Sequence, residues 1–146
     1  MKLEIELVPS TSWYSNVRSN VSKNKWDTIR KRSYKKANYK CEICGDNGRN
    51  QGVKWPVECH EIWDYNEETK IQKLTGFISL CTNCHKTKHA GLAIFVNNEK
   101  DLVINQLMKV NEISKKEAEH HIEESFKLWE RRNQYEWKLD LSYIDM

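Results

Sequence analysis

Two Cys-x-x-Cys pairs, Cys41-Glu-Ile-Cys44 and Cys81-Thr-Asn-Cys84, stand 36 residues apart in a chain of 146. A Cys-x-x-Cys turn sets two thiolates at neighbouring corners of a tetrahedron, and two such turns complete a four-thiolate zinc shell. Free or redox-active thiols are the competing reading. A doubled pair in one small chain argues against it. A zinc ion with four thiolates has no open position, so Cys41, Cys44, Cys81 and Cys84 are expected to hold a structural ion that contributes folding free energy. The segment between the pairs exceeds an ordinary zinc-finger loop and must fold into elements of its own.

The second pair runs directly into histidines, as Cys-Thr-Asn-Cys-His-Lys-Thr-Lys-His over residues 81–89. On a helix, positions four apart share a face. His85 and His89 are therefore expected to aim two imidazoles at one point while Cys81 and Cys84 face the zinc. His60 lies between the pairs in a Val/Trp/Ile/Tyr-rich run, residues 53–65, that reads as a strand. A neutral imidazole accepts a proton near pH 7, so a strand-borne His60 facing a helix-borne ion is a candidate general base.

Length and composition bound the rest. The chain suits one domain, 1–146, in three stretches: 1–40 with a strand and a basic helix, 41–91 with the knuckles and histidines, and a helical extension over 92–146. Six Trp and 10% aromatic residues argue against a disordered chain. No apolar run approaches the roughly 20 residues that span a bilayer, and residues 1–9 alternate rather than forming an apolar signal core. A cytoplasmic (intracellular) protein without membrane contact is the expectation, and a reducing compartment favours metal ligation over disulfides.

Leu3, Ile5 and Leu7 alternate with charged residues, the period of a half-buried strand. Residues 9–22 read as a loop. Residues 26–37 read as a helix with Trp26, Ile29 and Tyr34 inward and Arg30, Lys31, Arg32, Lys35 and Lys36 outward. Residues 69–80 read as a second strand broken at Gly76, and a helix is expected from Thr82 through His89. Residues 99–110 form another helix, with Val103, Ile104, Leu107 and Met108 in register. A last helix starts at Ser114, where Ser-Lys-Lys-Glu fits a capping box, and stripes Ala118, Ile122, Phe126 and Trp129 on one face. The Trp/Phe stripe offers a surface for a homodimer. Residues 137–141 alternate again and are expected to pair with the first strand.

Net charge is +3 but uneven: residues 1–40 carry ten Lys/Arg against three Asp/Glu, whereas 91–146 carry eight against eleven. A basic first segment fits a polyanion such as DNA, because each cation near a phosphate releases condensed counterions. A solvated helix face explains the same charge equally well.

Taken together, Cys-x-x-Cys, a strand carrying x-His-x-Ile, and Leu-Cys-x-x-Cys-His-x-x-x-His resemble the HNH endonuclease family over residues 41–91. The resemblance implies an α+β fold with a ββα-metal core stapled by the four-cysteine zinc, flanked by the basic N-terminal helix and two C-terminal helices. It implies hydrolysis of DNA phosphodiesters leaving 5′-phosphate ends, with His60 as general base. His85 and His89 would hold a catalytic divalent metal (Mg²⁺, Mn²⁺, Ni²⁺ or Zn²⁺), and the basic helix would grip backbone phosphates. It also points to a phage or bacterial setting. Two departures stand out. The family's further ligand before the base is Asp or His, where this chain has Cys59, and its middle Asn falls at Gly76. Cys59, Glu61 or Glu58 would have to complete the ligand set, and an ideal strand puts Glu58 on the face of His60, with Cys59 and Glu61 on the other. A degenerate, zinc-stabilised module that binds DNA or protein without cleaving is the alternative.

Overall fold

The computed structural model describes residues 1–145. Among the described residues, a three-stranded sheet is packed with six α-helices around a four-cysteine cluster, an α+β architecture. Among the described residues no helix is long and apolar enough to cross a membrane.

The chain enters as an extended segment rather than a strand. Leu3 and Ile5 do alternate into the core, but the backbone is satisfied by helix side chains: Leu3 exchanges two 2.8 Å hydrogen bonds with the Asn111 amide, and the Ile5 N–H donates to His121 Nε2. Alternation reports a two-sided environment, and here helices supply both sides. A pinned turn follows. Ser12 donates to Gln72 Oε1 at 2.7 Å, and the Thr11 hydroxyl donates to Tyr135 O. Within the stretch expected to be loop lies a four-residue helix, α1 (Val17–Asn20), closed by an Asn16/Ser19 capping box.

Helix α2 (Lys23–Lys36) starts where the Ser22 hydroxyl accepts from Lys25 N–H, three residues earlier than periodicity placed it. Asn38 and Tyr39 at positive φ then turn the chain into the first knuckle. The Gly/Asn-rich stretch after it folds tightly. A Cβ on Gly48 would meet Trp55 O and Val53 Cγ2, each at 2.6 Å, so only glycine fits there.

Strands β1 (Glu58–Asn66) and β2 (Ile71–Leu80) form an antiparallel hairpin whose register shifts at Ile62/Trp63, opposite Gly76 and Leu74. The shift lies against Gly76, where strand regularity was expected to fail. Residues 53–57 stay outside the strand. β3 (Lys138–Asp140) pairs parallel with the start of β2, not with the N-terminal segment, which offers no ladder.

Helix α3 (Thr82–Lys88) follows β2 directly, and the chain kinks at His89 before α4 (Ala90–Phe95), a short helix absent from the sequence reading. α5 (Lys100–Asn111) lies within a residue of its expected range, α6 (Lys115–Arg132) starts after Ser114 as expected, and the Ser114/Glu117 capping box is formed. The core collects Leu3, Leu80, Val103, Leu107, Ala118 and Ile122 around the cysteines, so the cysteine cluster and the apolar centre are one body. The aromatic stripe of α6 is largely engaged within the chain: Trp129 Nε1 donates to Val8 O, and Phe126 packs edge-on against Phe95.

Candidate metal centres

Cys41 and Cys44 sit in the turn after α2, and Cys81 caps α3 with Cys84 one turn on. Their four sulfurs all lie within 4.8 Å of one another, with Cys44 and Cys81 at 3.6 Å. Each turn has the knuckle form, with Cys44 N–H directed at Cys41 Sγ and Cys84 N–H at Cys81 Sγ. Gly45 at φ +80° lets the first turn close, and Gln106 Nε2 donates to Cys84 Sγ. The thiols perturb one another strongly. Hydrogen bonds from Cys44 and its neighbours push Cys41 far down, while bonds to Cys41 and its neighbours push Cys84 far up. Four sulfurs this close match the corners of a tetrahedral shell, and the cluster could bind a structural metal such as zinc.

The other face of α3 carries the second cluster. The imidazole centroids of His60, His85 and His89 stand 5.4, 5.1 and 4.9 Å apart, a near-equilateral triangle, and one nitrogen from each lies within 4.8 Å of the others. β1 supplies His60 and α3 with its C-cap supplies the pair, four positions apart as expected. His60 is only 4% exposed.

Two carboxylates orient these rings. His60 Nε2 donates to Glu6 Oε2 at 2.8 Å, and His85 Nδ1 donates to Glu58 Oε1 at 2.7 Å. Glu58 is fixed in turn by Trp55 Nε1 and the Thr82 hydroxyl, and Glu6 by the buried Lys88 ammonium. Burial alone would raise both carboxyls, but the hydrogen bonds from the histidines and these partners prevail and hold each at about 2. The tautomers follow: Nδ1 of His60 and Nε2 of His85 remain free. Among the described residues, His60 Nδ1 and His89 Nδ1 are buried without a hydrogen-bond partner. Desolvation lowers His60 and takes His89 down to about 3, with the neighbouring histidines adding to the effect on His89. Neutral rings with unpartnered nitrogens, backed by carboxylates, are the state in which histidines bind a metal.

Cys59 and Glu61 stand apart from this triangle, contrary to their expected place in the ligand set. Neither belongs to the three-histidine cluster, although both line the cavity above it. Burial pushes the Cys59 thiol up to about 12 although the Ser33 hydroxyl hydrogen-bonds it, and Glu61 Oε1 accepts from Val17 N–H at 3.3 Å. Glu58, left open by the sequence, is the carboxylate on the histidine side. Glu6 was missed, since its alternation with Leu3 and Ile5 shows which way it points but not what it meets.

Comparison with protein-family models, with curated proteins and with solved structures gave no match.

A groove between α2 and β1 leads to His85. It is lined by Arg18, Lys23, Trp26, Arg30 and Tyr34, and Arg30 is paired with Asp27 at 2.9 Å. Of the five expected phosphate-binding cations, Arg30 alone lines this groove. Lys31, Arg32, Lys35 and Lys36 are exposed on the helix, and Arg18 and Lys23 were not anticipated.

Proposed function

We propose that this chain is a metal-dependent endonuclease of the HNH type, hydrolysing DNA phosphodiester bonds at the three-histidine centre. One observation carries the reading: His60, His85 and His89 converge on a point that the cysteine cluster does not own, with two of the three rings fixed by carboxylates. The hairpin β1–β2 followed by α3 has the element order of a ββα-metal core, which supports the same reading.

His60 is assigned here to the ligand set rather than to proton transfer. Its buried Nδ1 faces the pair at nearly the separation the pair keeps from each other, and a ligated imidazole has no lone pair left for a proton. A divalent ion held by three imidazoles would lower the pKa of a water molecule and offset charge developing on a phosphoryl oxygen. The chain's own residues do the rest. Glu6 and Glu58 fix tautomer and ring orientation, burial keeps His60 and His89 neutral, and Arg18, Lys23 and Arg30 attract the phosphate backbone toward His85.

Supercoiled plasmid incubated with the protein and Mg²⁺, Mn²⁺, Ni²⁺ or Zn²⁺, beside His85→Ala/His89→Ala, tests this. Nicked or linear DNA above the variant is expected with at least one ion. If no ion gives it, the enzyme reading falls and a zinc-stapled binding module takes its place.

A further inference from the structure

The histidine triangle floors a cavity of about 650 Å³, within the size range of a pocket for one small ligand. Its wall on one side is the turn of residues 10–14, which leaves two large aromatic side chains in solvent: Trp13 is 48% and Tyr14 75% exposed. Trp13 stands edge-on to His89 at 5.9 Å between centroids. The backbone beneath these rings is tied down by the Ser12–Gln72 and Thr11–Tyr135 hydrogen bonds. Exposed aromatics on a pinned turn, touching a metal-type centre, have no core to explain them.

Charge tells what covers them. Arg18 lines both this cavity and the groove beside α2, and Lys23 and Arg30 continue that cationic side away from His85. Glu4, Glu6, Glu61 and Asp64 also line the cavity, with Arg132 beside Arg18 among its cations; Glu6 is taken by His60 and Lys88, and Glu61 accepts from Val17 N–H. A polyanion can thus run along the groove with one phosphate at the triangle. His60 is nearly sealed from solvent, and a phosphate that reaches the triangle through the cavity passes the aromatic rim, which brings its attached base to Trp13 and Tyr14. A base held in its own duplex stack has no free face to offer them.

Resting on the nuclease reading, we infer that the substrate is DNA with an unpaired segment, one base of which leaves its stack to lie against Trp13 and Tyr14 while the adjoining phosphate reaches the histidines. Base–aromatic stacking of this kind tolerates any sequence and changes affinity by about tenfold or more per base when the ring is removed.

The test uses the full chain with its structural metal, one oligonucleotide carrying 2-aminopurine, and three forms of it: single-stranded, fully paired, and paired except for a short central loop. Fluorescence quenching reads stacking and gel analysis reads cleavage. Expected are at least tenfold faster cleavage of the unpaired forms and about tenfold weaker binding of them by Trp13→Ala or Tyr14→Ala, with Trp13→Phe retaining most of the affinity. Equal cleavage of all three forms, unchanged in the variants, overturns this inference while leaving the nuclease standing. Trp13-dependent quenching without cleavage under any ion removes the nuclease but keeps the stacking site. A dimer that dissociates on Trp13→Ala, with no quenching, assigns the rings to a second copy and overturns it as well.

Discussion

Glu6 and His60, 54 positions apart, meet at 2.8 Å, and the second oxygen of Glu6 takes the Lys88 ammonium at 2.7 Å. An otherwise irregular N-terminal segment is thereby bolted to both the strand and the helix that form the histidine centre. Glu6→Gln keeps the shape but replaces a charge-assisted hydrogen bond and strips Lys88 of its counter-charge. The second-site metal affinity should fall about 10- to 100-fold, as for other outer partners of ligating histidines, read by competition with a metal-sensitive dye. Stability should fall by about 1–3 kcal/mol in chemical denaturation, because Lys88 is left buried and unpaired.

The cysteine cluster predicts a separate and larger effect. Cys81 and Cys84 are fully buried among Leu80, Leu107 and Val103, so opening the cluster opens the core. Structural zinc contributes on the order of 10 kcal/mol or more to small domains. Chelation, or Cys84→Ser, should abolish the cooperative thermal transition, whereas His85→Ala/His89→Ala should leave it in place. Differential scanning calorimetry distinguishes the two.

Which features were readable beforehand follows from their range in sequence. Cys-x-x-Cys spacing, the His85/His89 pair and the Ser114 capping box are local, and each stands as expected. The stripe of α6 was legible because burial recurs every turn. Glu6 was invisible, since nothing near residue 6 records a histidine at 60. The strand expected at Leu3–Leu7 failed for a related reason: period two shows that alternate side chains are buried, but Asn111 and His121, more than 100 residues away, decide that side chains and not a ladder satisfy the backbone. α1 is too short to carry a period, and Arg18 on it could not be placed beside His85.

His60 separates two mechanisms that the triangle alone brings together. As a ligand, its loss should remove an ion: His60→Ala should bind one equivalent of metal where the parent binds two, by elemental analysis after gel filtration. A proton acceptor would leave the count at two and lose cleavage alone. A count of two in the variant would return His60 to the role its position in the sequence first pointed to.

The groove makes a prediction about salt. Each phosphate contact removed should flatten the dependence of log affinity on log salt by about 0.7–0.9. Arg18→Ala should do so in a titration against single-stranded DNA. Lys31→Ala and Arg32→Ala, on exposed positions of α2 outside the groove, should change the slope by far less. If the α2 variants flatten it and Arg18→Ala does not, the backbone follows the outer face of the helix and not the groove.

Glu61 supplies a pH dependence of unusual sign for a carboxylate. Burial raises it to about 7, against weaker opposing bonds from Val17 N–H and Trp63. Its folded pKa therefore exceeds the unfolded value near 4.5, and the folded state binds the extra proton between the two. That contribution is present below pH 4.5 and is lost as pH rises through 7, where a charge must sit in a poorly hydrated site. Glu6 and Glu58, held at about 2, act in the opposite sense and lose their contribution as pH falls from 4.5. Glu61→Gln keeps the acceptor oxygen and removes the charge. Its melting temperature should exceed the parent's by a few degrees at pH 8.5, corresponding to about 1 kcal/mol for a chain of this size, and the gap should close by pH 5. An equal gap at both values would mean that the carboxyl is charged throughout and well solvated, and that the closed environment drawn around β1 on this face is open to water.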